Sequence, residues 1–464
     1  MSLEKTLFRL VIPAALIFNM HTALAQNPEP TIIEEILVWG RATQLIGTAN
    51  SASQGVVGYD DFSTRPLSRV AELVEVIPGM IATQHSGPGK ANQYFLRGIN
   101  LDHGSDFSNS FDGMPINFRT HAHAQGYLDL NFIIPEIIER IDYRKGPYYA
   151  DTGDFSLAGS NAFKTYDELE EGFSELIMGS DNEIRIITAD SFDFAGGALL
   201  YALEHEQTDG PFVLEQDVRK YNGLLKYTGQ IFGVPSQITA MAYSSQWTST
   251  NQIPQRAVDS GLISRFGFID PDLGGESQRY SVTGTFGFRD WDLNLYASHY
   301  YMSLINNPTY FLNDPVNGDE FEQEDERWVF GGYLRNESET EILGVPTTRT
   351  MGADLRYDDV NKLNLFNTIA QQRVGSVRED TVEELSLDAF AQWEMRFTER
   401  LRGTLGVRVD YYTFDVHAKT SANSGSGSDS LWQPNLALAI YSVKTWNFMP
   451  TMVKGFTPTM CVLP

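Results

Sequence analysis

Cysteine is almost missing from this chain of 464 residues: there is one, Cys461, so no disulfide can form within the chain. Long apolar runs are missing as well. No stretch beyond the N-terminus reaches 18 consecutive apolar residues, which excludes membrane-spanning helices. Any crossing of a bilayer then requires a closed barrel, because only helices and barrels satisfy their backbone in lipid. Positive charge is scarce: 34 Lys and Arg stand against 60 Asp and Glu, for a formal charge of -26. That balance argues against nucleic acid, whose binders must neutralise phosphates. It fits a solvated acidic surface or, more sharply, a vestibule that attracts cations.

What is present is organised. Hydrophobic residues make up 42% and aromatics 12%, neither a disordered nor a helical-membrane composition. The length calls for at least two structural units. Lys5 and Arg9, the short apolar run Leu10–Phe18 and the small residues Ala23-Leu24-Ala25 before Gln26 form, in order, a secretory signal peptide over residues 1–25. Residues 26–45 read as a polar tether. Residues 46–165 read as a compact mixed α+β domain. Within it Val70, Leu73, Val74 and Ile77 recur at helical spacing, which predicts one helix over 66–79 stopped by Pro78-Gly79. Short strands are expected at 94–96, 114–116 and 137–143.

From about residue 172 the texture becomes alternating. Leu385, Leu387, Ala389, Ala391, Trp393, Met395 and Phe397 interleave with Ser386, Asp388, Gln392, Glu394 and Arg396, with Phe390 the exception. After Thr398-Glu399-Arg400 the pattern resumes: Leu405, Val407, Val409 and Tyr411 alternate with Thr404, Arg408 and Asp410. Trp291, Leu293, Leu295 and Ala297 repeat it against Asp292, Asn294 and Ser298. Successive strand side chains point to opposite faces, so one face is apolar and the other charged. Soluble strands average about 5–6 residues; these run past the roughly 9–11 that cross a bilayer at a tilt. A transmembrane antiparallel barrel is therefore expected over 166–440. Its short turns, such as 288–290, would lie on the periplasmic rim and its long loops outside, including an acidic loop over 306–326.

Several segments resemble the TonB-dependent outer-membrane receptor family, over residues 34 to 440. Glu34-Glu35-Ile36-Leu37-Val38-Trp39-Gly40 is similar to the TonB box, an extended peptide able to add a strand to a partner's sheet edge. The resemblance implies TonB contact by Glu35, Ile36, Leu37, Val38 and Trp39. Phe95-Leu96-Arg97-Gly98, Phe111-Asp112-Gly113-Met114-Pro115-Ile116 and Ile138-Glu139-Arg140-Ile141-Asp142-Tyr143-Arg144-Lys145-Gly146-Pro147 look like plug signatures. Gly98 and Gly113 suit turns with positive φ. Lys145 stands where members usually carry Arg, and Lys cannot form Arg's bidentate pair. The family implies a plug inside a 22-strand barrel in the outer membrane of a Gram-negative bacterium. It also implies substrate held between extracellular loops and plug tips, and energy supplied through TonB by the inner-membrane proton gradient. Outer-membrane lipid, TonB and a small-molecule or metal-chelate substrate are the expected partners. No catalytic group and no cofactor is required; a divalent or chelated metal enters as substrate.

Four of the eight histidines fall between His85 and His123. Asp102, His103 and Asp106, with His121 and His123, offer ligands for a borderline divalent metal. If 121–123 is a strand, both imidazoles share a face. The alternative is a polar plug loop whose histidines bond locally. The His-Ala-His triplet is shared with metal-dependent hydrolases, but the β/α alternation they need does not follow, which argues against an enzyme.

Barrel-like sequence covers about 270 residues, enough for roughly ten to twelve strands, fewer than the family's barrel. Residues 441–464 lose the alternation and read as an atypical tail. The expectations are active uptake of a scarce solute, a metal chelate of siderophore type or a metal ion, against a truncated, non-functional receptor fragment or a signalling receptor.

Overall fold

The computed structural model describes residues 54–441, apart from 66, 68 and 86, together with the short segments 447–448 and 451–453. The signal-like segment, the tether with its TonB-box-like heptad Glu34–Gly40 and most of the C-terminal tail lie outside these residues.

The N-terminal domain is built on two small sheets. One joins β1 (Gln54–Gly58), β5 (Phe107–Phe111), β6 (Met114–Pro115), β7 (Ile138–Lys145) and β8 (Gly159–Thr165) in the order β1-β7-β8-β5-β6. The other is formed by β2 (Met80–Thr83), β3 (Gln93–Leu96) and β4 (Ile99–Asn100). Val70, Leu73, Val74 and Ile77 are all buried, as their spacing predicts. The helix that carries them is shorter and tighter than expected, a 3₁₀ segment over Val70–Val76. Four β-branched residues in eight disfavour a longer α-helix, and the Glu75 carboxylate is drawn off to accept the Ala82 N–H at 2.9 Å.

Twelve long antiparallel strands follow in sequence order, β9 (Phe173–Met178), β10 (Ile184–Phe194), β11 (Gly197–Thr208), β12 (Val218–Ile231), β13 (Val234–Thr248), β14 (Gly274–Phe288), β15 (Trp291–Asn306), β16 (Phe321–Ile342), β17 (Val345–Ile369), β18 (Gln372–Thr398), β19 (Leu401–Ala418) and β20 (Gly425–Tyr441). Segments 447–448 and 451–453 pair with β20. Two-residue turns, for example Arg289–Asp290 and Glu399–Arg400, close one rim, and the connections 209–217, 249–273 and 307–320 rise from the other.

The acidic run expected as a loop over 306–326 is only partly one. The loop ends at Glu320, and Glu322, Glu324, Asp325 and Glu326 belong to β16. The strand tolerates them because basic residues from the next two strands sit opposite: Arg373 Nε is 2.6 Å from Glu322, and Lys362 Nζ is 3.1 Å from Glu324.

The two faces of the sheet meet different surroundings. On β18 and β19 the apolar set points out, with Leu387 55% and Leu405 47% exposed, while Ser386, Asp388, Arg408 and Asp410 are buried on the inner face. Phe390, the break in the pattern, is an inward residue lying under the Arg408 guanidinium. An outward apolar surface continued by Leu295, Phe330, Leu334, Leu355 and Leu436 exceeds what a water-facing protein exposes and suits lipid. Val407, paired with Ala391, lies on that face between the Trp393–Leu405 and Leu387–Tyr411 pairs. Val407→Arg is expected to lower stability in lipid vesicles by roughly 2–4 kcal/mol, read from the denaturant midpoint; a loss near zero would mean this face does not meet hydrocarbon.

Candidate functional site

The inner face of the sheet wraps the N-terminal domain, with contacts from β10 (Arg185 to Glu136, 2.6 Å) round to β19 (Tyr412 to Asp154, 2.5 Å). Water is squeezed from between them, so inward charges have to find partners. Several do so within their own strand, two residues apart and hence on one face. Arg327 grips Asp325 at 2.7 and 2.6 Å, Arg356 grips Asp358 at 2.6 and 2.8 Å, and Arg408 reaches Asp410 at 2.5 Å. Asp-x-Arg or Arg-x-Asp inside an alternating stretch is a readable sign of such pairs.

The plug-like motifs serve as joints. Asp112, at φ +45, accepts from Thr165 N at 3.0 Å within the domain and from Thr239 Oγ1 of β13 at 3.0 Å. A side chain on Gly113 would meet Asn294 Nδ2 of β15 at 2.7 Å, so close approach as well as its φ of +90 demands glycine there. Arg97 and Gly98 form the β3–β4 turn at φ +52 and +81. Arg144 pairs with Asp151 at 2.7 Å, and the same carboxylate takes Arg335 of β16 at 3.0 Å. Lys145 donates to the Pro78 carbonyl at 2.6 Å, a single contact that an ammonium makes as well as a guanidinium does. Gly146 turns the chain at φ +83 before Pro147.

Residues 119–126 form no strand, so His121 and His123 do not share a face. His121 stacks flat on Tyr127, ring centres 4.0 Å apart, and its Nδ1 accepts the His123 N–H at 3.1 Å. It is held against the wall, its Nε2 3.8 Å from Asp325. His123 turns the other way, to His103, and the two Nε2 atoms stand 3.2 Å apart. Asp102 approaches His103 Nε2 at 3.9 Å. Asp106 turns away to accept from Ser105 Oγ at 2.9 Å. Sequence reasoning did not point to Lys90, whose Nζ lies 3.4 Å from His123 Nε2, or to Gln323 of β16. Lys90 is fixed by the segment before it: a side chain on Gly89 would sit 1.9 Å from the Trp247 ring.

The partners of the imidazoles decide their tautomers. His103 Nδ1 faces two carbonyl oxygens, Ala91 at 3.1 Å and Asn92 at 3.0 Å, and can only donate. His123 Nδ1 faces Gln323 Oε1 at 2.8 Å, an amide oriented by its own N–H bond to the Ala122 carbonyl at 2.6 Å. Both Nδ1 atoms carry the proton, so both neutral rings present Nε2 lone pairs to each other. Such a pair needs something positive between or beside it. Lys90 supplies that here, and burial lowers its ammonium to about 8.

Burial, then the Lys90 charge, lowers His85 to about 4 and also lowers His103 and His123. Burial and Arg327 lower His121. The four imidazoles are neutral near pH 7. Groups depressed on folding stabilise fully above their unfolded value of 6.5 and lose that contribution as pH falls through the folded value. The thermal midpoint is therefore expected to drop between pH 6.5 and 4, and to drop less in His85→Ala; equal pH profiles would contradict this. A second expectation concerns Arg119, buried at 5% exposure, which holds Asp154 at 2.6 Å and Ser386 Oγ of β18 at 2.7 Å. Arg119→Ala should cost roughly 3–5 kcal/mol in urea unfolding, and Arg119→Met with Asp154→Asn clearly less, because the single change strands a buried charge.

Comparison with known proteins matches these two parts to two family models: TonB-dependent Receptor Plug Domain over residues 48–160, and TonB dependent receptor-like, beta-barrel over 214–453. Vitamin B12 transporter BtuB of Vibrio vulnificus is 27% identical over 235 residues, 50% of this chain and 35% of that protein. The ferric citrate transporter FecA, unliganded, superposes with a TM-score of 0.70 at 15% identity, covering 87% of this chain and 62% of FecA. The copper transporter OprC does so with a TM-score of 0.63 at 16% identity, covering 85% and 61%. The chain thus spans about a third of the length of this curated relative and less than two thirds of these solved structures.

Proposed function

The chain belongs to the TonB-dependent receptor family of the outer membrane of Gram-negative bacteria, and we propose that it serves active uptake of a metal chelate, with His103 and His123 as the plug groups that take the metal. The supporting observation is the pair of converging Nε2 lone pairs at 3.2 Å. Two imidazoles on one tetrahedral divalent ion at about 2.0–2.1 Å stand roughly 3.3–3.4 Å apart. Each ring also donates its other N–H to a carbonyl oxygen, the outer-shell arrangement that fixes metal-binding histidines.

Among the described residues Asp102 approaches His103 alone, and no third His, Cys, Asp or Glu donor lies within 4.8 Å of both imidazoles. Two protein ligands leave the remaining positions to a chelator that arrives with the metal, which favours a chelate over a bare ion. Gln323, against His123, lies near the long-loop rim where β16 begins, which supports a receiving surface between plug and wall. Movement through the wall would draw on TonB, engaged by Glu35–Trp39, with the metal as cargo and no resident cofactor.

The nickel–nitrilotriacetate complex, which keeps two positions open for imidazole, is a suitable probe for titration of the full chain in detergent. His103→Ala and His123→Ala are each expected to weaken binding on the order of 10-fold or more, as loss of one of two ligands implies. Lys90→Met should strengthen it by removing the competing donor, and His417→Ala should leave it unchanged. Equal affinity in wild type and both histidine variants would exclude the assignment.

A further inference from the structure

At the long-loop rim, Asp270 and Asp272 from connection 249–273 and Glu320 from connection 307–320 bring one carboxylate oxygen each to within 4.8 Å of one another. Among the described residues this is the one group of three such donors, and no Lys or Arg stands within ion-pair distance of it. Asp270 and Glu320 are 9% and 5% exposed, so water does little to separate their charges. Three clustered carboxylates without a counter-charge are unstable as anions.

A fourth donor stands beside the group. Asn307 is 1% exposed, and its amide nitrogen donates to Asp270 Oδ2 at 2.6 Å. Its Oδ1 is buried and receives no hydrogen bond. The two heteroatoms share one carbon, so that oxygen lies about 2.2 Å from a nitrogen already touching Asp270. A buried amide oxygen without a donor, beside three carboxylates without a cation, is one deficiency met by one ion.

We propose that Asp270, Asp272, Glu320 and the Asn307 Oδ1 bind a hard divalent cation, calcium by ligand chemistry, that ties the rim loops together. All the donors are oxygen, two are largely dry, and none is the nitrogen or sulfur that a transition metal would favour. Calcium accepts an irregular oxygen set where magnesium demands an octahedron. Three connections meet at the ion. Besides the two loops, the β17–β18 turn joins through Gln371, whose N–H donates to Glu320 Oε1 at 2.9 Å and whose side-chain amide donates to the Asp272 carbonyl at 3.0 Å. The site is separate from the histidine pair and independent of its assignment.

Terbium is a luminescent stand-in for calcium, and Tyr310, whose carbonyl accepts the N–H of Asp319 next to Glu320 at 2.6 Å, can sensitise it. Full-length chain in detergent is titrated with Tb³⁺ under tyrosine excitation, then with Ca²⁺ or Mg²⁺ as competitor. The expected result is a saturable signal displaced by Ca²⁺ far more readily than by Mg²⁺, and weakened at least about 10-fold in Asp270→Asn/Glu320→Gln, since charge count sets affinity at such sites. Asp272→Asn, at a half-buried position, should show a smaller loss with unchanged far-ultraviolet dichroism, which covers misfolding of the double variant. His103→Ala/His123→Ala should bind Tb³⁺ as wild type does. Absence of a calcium-displaceable signal in wild type, or full retention of it in both carboxylate variants, would overturn the site.

Discussion

Exclusion of water from the space between plug and wall governs the rest of the structure. The inner face of the sheet is dense in charge, and the domain it encloses leaves those charges no bulk solvent. Arg408 is the clearest result: its guanidinium meets Asp410 at 2.5 Å, Asp354 at 3.0 Å and Asp388 at 3.1 Å, all but Asp354 largely buried. A buried charge without a partner costs several kcal/mol, so ion pairing is a condition of closing the plug against the wall. The outer face carries the opposite demand, large apolar side chains against hydrocarbon. One alternating strand serves both because the side-chain period of two delivers one set to each solvent.

That period is why so much of the fold could be read from residue order. Leu385, Leu387 and Leu405 against Ser386, Asp388 and Arg408 announce the two faces without any knowledge of pairing. The plug motifs were legible for a related reason: Gly98 and Gly113 mark backbone positions that other residues enter at a cost. Local chemistry misled where the decisive partner is remote in sequence. Glu322 to Glu326 read as a solvated loop because Lys362 and Arg373, which make a strand of it, lie some forty to fifty residues on. The segment at Val70 read as a longer helix because spacing reports which face is buried and not how tightly the backbone winds.

The histidine cluster shows the same limit more sharply. Its residue types pointed to a metal, and its pairing could not be read. His121 and His123 are two apart in the chain, yet the backbone between Phe118 and Tyr127 is irregular, so the strand rule does not apply. His121 is claimed by the Tyr127 ring, and His123 by Gln323, 200 positions away. The pair that converges, His103 with His123, is chosen by tertiary packing, and so is Lys90 beside it. The carboxylates at 270, 272 and 320 come together through loops whose paths have no periodic signature at all.

The short-range pairing of Asp325 with Arg327, Arg356 with Asp358 and Arg408 with Asp410 carries one more implication. Each couple is internal to a single strand, so these charges are answered within the wall, and Asp325 in addition accepts the Ala122 N–H of the plug at 3.0 Å. What ties the two bodies is a separate set, the ion pairs of Arg185 with Glu136 and Arg335 with Asp151 and bonds such as Thr120 to Glu384 at 2.7 Å and the Ala150 N–H to Gln392 at 2.9 Å. Sliding one body along the other would break these cross-links while the couples within each strand stay intact, so the lining keeps part of its charge balance when the contacts across it are lost.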